Sequence, residues 1–222
     1  MQMKKIFVAA AMLFLGLNAF AQLNVGGGYM YEYGPWREQT DNGTWRKWDT
    51  EERHGVYAGA TYNFNITSFG LGIAPGAYVS WTGGVTRNRN GSKQIIHEGE
   101  IVSRHGTRHL AVTLPVHVTY SMDLGPGTMF AYAGPAFQVG LSLREYDKGR
   151  DLNGRFKSVS DNLYGKNYDT RPCDLKFDIG FGYRWRFIQA HVGFDFGLID
   201  KVPSKYSSLH YHSIYMGAAY VF

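Results

Sequence analysis

Tyr215-Met216-Gly217-Ala218-Ala219-Tyr220-Val221-Phe222 closes the chain, and its alternation decides the fold. Ile214, Met216, Ala218, Tyr220 and Phe222 share one face of an extended strand. Ser213, Tyr215, Gly217, Ala219 and Val221 share the other. A chain that stops on an aromatic residue in mid-strand is unusual for a soluble domain, whose termini generally fray. It makes sense where the last strand has to close a barrel, because lipid does not tolerate an unpaired sheet edge.

Working outward, the same period runs through most of the chain. Leu23, Val25, Tyr29, Tyr31 and Tyr33 alternate with Asn24, Gly26, Gly28 and Glu32. Val56 to Phe64 repeats the pattern, and so do Phe69 to Trp81, Leu110 to Tyr120, Met129 to Leu143, Leu175 to Trp185 and Ala190 to Leu198. With the closing strand this predicts eight strands. Their connections alternate long and short, the long ones being residues 34–53, 83–107, 145–172 and 200–209. That is the pattern of a transmembrane barrel with generous outer loops and clipped inner turns, and it expects both termini on the periplasmic side. Pro75, Pro115 and Pro135 fall inside apparent strands, where a missing ladder donor predicts local bulges.

Period alone does not say which face is outside, since a soluble barrel with a greasy lumen alternates too. The polar face here is mostly Gly, Ser, Thr and Asn, small enough for a narrow eight-stranded interior. The apolar face gathers Tyr, Phe and Trp toward strand ends, as membrane-interface girdles do. The expected fold is therefore all-β: one eight-stranded antiparallel transmembrane up-and-down barrel over residues 22–222.

At the other end, Lys4-Lys5, the apolar run from Ile6 to Leu17, and Ala19-Phe20-Ala21 form the three parts of a secretory signal peptide. Cleavage after Ala21 is expected, so that residues 1–21 are removed. The apolar run is too short to span a bilayer as a helix. A lone Cys173 excludes an internal disulfide. The formal charge of +5 falls to +3 once Lys4 and Lys5 are subtracted. That is too mild to argue for nucleic acid but suits anionic lipid head groups.

Two resemblances support the barrel. The spacing of Tyr215, Gly217, Tyr220 and Phe222 resembles the C-terminal assembly signal of bacterial outer-membrane barrels. It implies the barrel assembly machinery as a partner during biogenesis. The segment from Leu114 to Tyr120, followed by Tyr132-Ala133-Gly134-Pro135, resembles a hairpin of the PorT-like outer-membrane barrels of Bacteroidota, with Thr119 where that family usually has Lys. Phe177 to Tyr183 fits the same pattern. The resemblance implies the outer membrane of a Gram-negative cell and transfers no active site.

Candidate functional residues fall in two groups. Glu32, His117, Arg144, Lys176, Asp178, Arg184, His191 and Asp195 are expected to point inward as a hydrogen-bonded ionic network filling the lumen. In the loops, Trp36, Trp45 and Trp48 with Arg37, Arg46 and Lys47 make an aromatic, cationic patch suited to a protein or glycan partner. Arg87, Arg89, Arg104 and Arg108 make a second basic stretch, suited to lipopolysaccharide phosphates. No metal-ligand spacing, catalytic motif or cofactor fingerprint stands out. The favoured function is a non-enzymatic outer-membrane barrel with an envelope-structural or loop-mediated binding role. A lipid A or phospholipid-modifying enzyme is one alternative. It would need a Ser–His–acid set at the lipid rim, for which Ser103, His105 or His109 and Glu100 are the nearest fit. An accessory subunit of a secretion or transport machine is the other.

Overall fold

The computed structural model describes residues 21–85, 95–97, 100–150, 156–164, 170–202 and 204–222. They form eleven strands: β1 (Ala21–Gln39), β2 (Trp45–Asn65), β3 (Leu71–Val85), β4 (Ile95–His97), β5 (Glu100–Leu124), β6 (Gly127–Arg150), β7 (Phe156–Asn162), β8 (Cys173–Trp185), β9 (Ile188–Gly197), β10 (Ser207–Leu209) and β11 (His212–Val221). Eight of them close a barrel in the order β1-β2-β3-β5-β6-β8-β9-β11, with β11 returning to β1, every pair antiparallel. The terminal stretch pairs on both sides: Tyr215 lies opposite Met30 on β1 and opposite Gly193 on β9. The barrel thus has no free edge, as a sheet in lipid requires. Of the expected signal segment, only the backbone of Ala21 lies within the described residues.

The wall sorts its side chains by parity. Along β8, Leu175, Phe177, Ile179, Phe181, Tyr183 and Trp185 are each at least 40% exposed, while Asp174, Lys176 and Asp178 are 7% exposed or less. From Leu175 to Trp185 the strand covers about 33 Å, which at a tilt of about 40° is a height of roughly 25 Å, the thickness of a bilayer's apolar core. Outward apolar residues continue the band around the barrel, among them Val25, Val56, Val79, Val116, Val118, Phe137, Phe196 and Met216.

At one end the connections are tight. Leu124 pairs directly with Gly127, and Trp185 with Ile188, leaving two residues in each turn. Gly125 takes a left-handed φ of 61°, the geometry a two-residue hairpin demands at its first turn position. Arg186 does the same at 55°, the one non-glycine to do so among the described residues. Ala21 and Val221 lie at this end.

The opposite end corrects the expected loops. Polarity begins near residues 34, 83 and 145, but pairing does not stop there: β1 runs to Gln39, β2 starts at Trp45, β5 starts at Glu100 and β6 runs to Arg150. A strand needs only a partner's backbone, and Trp36, Trp45, Ile101 and Val102 are residues that favour extended pairing. Loss of hydrophobicity marks where the strands leave the apolar band, not where they end. The β1–β2 hairpin and the paired outer ends of β5 and β6 therefore rise above the band. They are flanked by β10 on β1, β4 on β5 and β7 on β6.

The expected bulges at proline are also corrected. Pro75 pairs with Val116, Pro115 with Ala136 and Pro135 with Phe177, and the register is the same before and after each. The ladder skips two pairs next to Pro75 and next to Pro115 without sliding, and runs on unbroken through Pro135 and Phe177. Bulges occur instead at Trp36/Arg37, Val102/Arg104 and Leu110/Ala111.

Candidate functional site: a filled lumen and a raised rim

Inside the barrel, side chains stack in layers. A cavity of about 90 Å³, room for a few water molecules, runs from Gln22 and Arg184 near the tight turns up among the tyrosine rings to Asp195. Near the turns Arg184 donates to Gln22 and, at 3.4 Å, to Thr128 Oγ1. Above these contacts lies an aromatic layer. Tyr57 packs edge-on against Tyr78 and Tyr215, with ring centroids 5.8 and 5.6 Å apart. Tyr132 and Tyr215 share a 3.0 Å hydrogen bond, and Tyr57 bonds His191 Nε2 at 2.6 Å. Gly180 is a socket for this layer, because a Cβ there would sit 2.3 Å from the Tyr132 ring.

Asp178 ties the layer to the wall. It accepts from the Tyr215 hydroxyl on one oxygen and meets His117 Nε2 at 2.8 Å on the other. Asp195, directly opposite Asp178 across β8 and β9, turns instead to Lys176, whose ammonium lies 2.9 Å away and also donates to Ser213 at 3.3 Å. His117 is thus paired with Asp178 and Lys176 with Asp195.

The next layer centres on Glu32, 1% exposed. Its carboxylate meets Arg53 Nε at 3.1 Å, His109 Nδ1 at 3.3 Å and the Thr82 hydroxyl at 3.1 Å, with Lys176 4.0 Å away. Arg53 is wholly buried and lies over the Tyr211 ring at 4.0 Å. Toward the rim, Glu51 accepts from Thr107 Oγ1 at 2.6 Å and from Tyr211, Tyr164 bonds His109 Nε2 at 3.0 Å, and Lys201 sits 3.7 Å from Asp174. Tyr164 and Tyr211 lie outside the strands, and burial raises both phenols above the ordinary tyrosine range. These layers occupy the cross-section with paired charges and rings. Such an arrangement holds a barrel rigid.

Of the expected inward residues, Glu32, His117, Lys176, Asp178, Arg184, His191 and Asp195 line the lumen. Arg144 does not. Past the bulge at Leu110/Ala111 the phase flips, so that Leu143 is 2% exposed inside and Arg144 points out. His109, expected in a loop, is 3% exposed in the lumen. It cannot serve a catalytic set facing lipid, and the side chains of Ser103, His105 and Glu100 lie outside the described residues. Arg53, His109 and Lys201 join the luminal network without having been expected there, His109 because it was placed in a loop. Extending the inward parity of Tyr57 back to Arg53, and of Ala111 back to His109, would have found two of them.

On the rim, Trp45 is 47% exposed, and Arg37, Arg46, Lys47 and Arg108 are exposed as well. Trp36 is half-buried and donates to Glu38 Oε1 at 3.1 Å. Arg87 and Arg89 lie outside the described residues, as do the side chains of Trp48 and Arg104. At the chain terminus, Tyr215 faces the lumen, Gly217 is packed between the Tyr57 hydroxyl and Gly27, and Tyr220 and Phe222 are exposed with ring centroids 4.8 Å apart.

No protein-family model matches the chain, and no curated protein matches it in sequence. Among solved structures, it is similar to Ail, the attachment invasion locus protein of Yersinia pestis, solved with the heparin analogue sucrose octasulfate. That match has 13% identity over 89% of this chain and 99% of that one, with a TM-score of 0.38. Neisserial surface protein A matches at 10% identity over 88% and 97%, with a TM-score of 0.41. The N-terminal β-barrel domain of Pseudomonas aeruginosa OprF matches at 9% over 88% and 99%, with a TM-score of 0.31.

Proposed function

We propose that this chain is a non-enzymatic outer-membrane barrel of a Gram-negative cell, exported by a signal peptide cleaved after Ala21, that anchors a binding rim outside the cell. The observation that carries this is the division of labour between wall and lumen. The wall is an unbroken apolar band, and the lumen is closed by the ionic layer around Glu32 and Arg53. Neither solute passage nor a luminal reaction fits that arrangement, so the work falls to the β1–β2 hairpin and the strand ends that stand above the band.

The β1–β2 hairpin has the chemistry for an anionic partner. Arg37 lies directly opposite Lys47, Arg46 is next along the strand, and Trp45 is exposed beside them. Like charges directly across a strand pair repel, and an anion bound between them relieves that cost. An acidic glycan or an acidic protein surface meets this description. In this reading both termini are periplasmic and the barrel assembly machinery inserts the chain through its terminal strand. The PorT-like resemblance of the β5–β6 hairpin agrees with that setting.

The test is a pair of assays on the full mature chain reconstituted in phospholipid vesicles. The vesicles should stay impermeable to small sugars. The protein should bind a sulfated polysaccharide in a salt-dependent way, and Arg37→Gln/Arg46→Gln/Lys47→Gln should abolish the binding. Sugar flux at the rate of an open pore, or binding untouched by the triple substitution, would overturn the proposal.

A further inference from the structure

Arg108 on β5 and Arg144 on β6 are direct cross-strand partners, both exposed and both on the outer wall. Neither guanidinium has a carboxylate partner among the described residues. Side chains so paired sit about 5 Å apart at their Cβ atoms, and two like charges there are unfavourable unless something negative lies between them.

Their height on the wall says what that is. One step below along β5, Leu110 pairs with Trp81 of β3 and with Ser142 of β6, and Trp81 and Leu141 are 55% and 54% exposed at the top of the apolar band. Trp at such a position marks the membrane–water boundary. The two arginines therefore lie at the level of the lipid head groups. Arg108 is steadied by the Tyr146 ring, 5.1 Å from its guanidinium carbon, which leaves its edge free to donate. On the other side, Arg108 is paired with Gly83, where a Cβ would meet nothing closer than 3.4 Å, so no side chain fills the space beside it.

We propose that Arg108 and Arg144 form a clamp for the phosphate of a membrane lipid. The two guanidinium forks grip one phosphate in the leaflet on the rim side, while Trp81 and Leu141 contact the first carbons of its acyl chains. Arginine suits this task because its fixed fork matches phosphate oxygens two at a time. The inference rests on the membrane reading above and deepens it, and it does not depend on the β1–β2 hairpin.

The test is native mass spectrometry of the full mature chain in detergent, titrated with phosphatidic acid, phosphatidylcholine or inorganic phosphate. The wild-type chain should retain one phosphatidic acid in preference to phosphatidylcholine. Arg108→Gln/Arg144→Gln should weaken that retention by roughly thirty-fold, each arginine near a lipid surface being worth about a factor of five. Arg37→Gln/Lys47→Gln should leave it unchanged. Equal retention by the Arg108/Arg144 variant would overturn the clamp while leaving the membrane reading intact. Loss confined to the Arg37/Lys47 variant would also overturn it, placing the anion site on the hairpin tip. Displacement of the lipid by millimolar inorganic phosphate would replace a lipid site by a free-anion site. Failure of the wild-type chain to insert into vesicles would overturn clamp and membrane reading together.

Discussion

Removing the Glu32 carboxylate should be among the most damaging single changes in this protein. Glu32→Ala takes from Arg53 its 3.1 Å partner, from His109 a 3.3 Å partner and from Thr82 an acceptor, all in a layer shut off from solvent. Lys176 keeps Asp195 at 2.9 Å, so one cation rather than two is left without its main counter-charge. Arg53 would retain only Glu51, 3.8 Å away, and the face of Tyr211. Breaking a buried pair from one side costs about 3–5 kcal/mol. With a slope of about 2–3 kcal/mol per molar urea, the unfolding midpoint should fall by roughly 1–2 M. The assay is urea unfolding in thin bilayers, followed by tryptophan emission and by the gel mobility of the folded form. Glu52→Ala, which removes an exposed carboxylate one residue from Arg53, should stay within about 0.5 kcal/mol of wild type. A Glu32→Ala loss below about 1 kcal/mol would mean the lumen is wet and the ionic layer does not close it.

Three further outcomes follow from the same geometry. Gly180→Ala should cost about 1–3 kcal/mol by pushing the Tyr132 ring out of its socket, and Tyr132→Leu in the same chain should recover part of it in the same unfolding assay. Ile179→Arg, at the middle of the β8 lipid face, should lose about 2–4 kcal/mol in bilayers, and a tolerated arginine would deny that this face meets lipid. Because burial raises the Tyr164 and Tyr211 phenols, their stabilising contribution is intact below the ordinary value of 10.0. It falls away as pH climbs above that value, where the unfolded chain ionises first. Tyr164→Phe/Tyr211→Phe should flatten that alkaline decline in a pH series of urea midpoints.

The barrel was readable from sequence because its wall obeys a period of two wherever one face meets lipid and the other meets packed side chains. Phe177 through Trp185 could hardly be read otherwise. The reading weakened above the band, where neither face is apolar. There Glu38 opposite Arg46 holds a strand pair as well as any valine does, yet nothing in its hydrophobicity says so. One bulge at Leu110/Ala111 then reversed the expected direction of Arg144, because a single inserted residue flips every side chain beyond it. The layer around Glu32 was half legible: parity placed Glu32 and Lys176 inside, but which charges meet depends on the stagger between strands. Arg53 and Glu32 are direct partners across β1 and β2, while His109 reaches the same carboxylate from a strand that follows far along the chain.

The central claim, that the odd-numbered face of β8 lies against lipid and the even-numbered face fills the lumen, has a direct test. With Cys173 replaced by serine, single cysteines at positions 175 to 185 would carry a spin label in bilayers, and collisions with oxygen and with a water-soluble nickel chelate would be compared at each. The structure predicts oxygen-dominated, chelate-poor collisions at 175, 177, 179, 181 and 183, deepest near 179, and low values for both reagents at 176, 178 and 180. Strong chelate collisions at the odd positions would contradict it, leaving a barrel whose apolar face is turned to water.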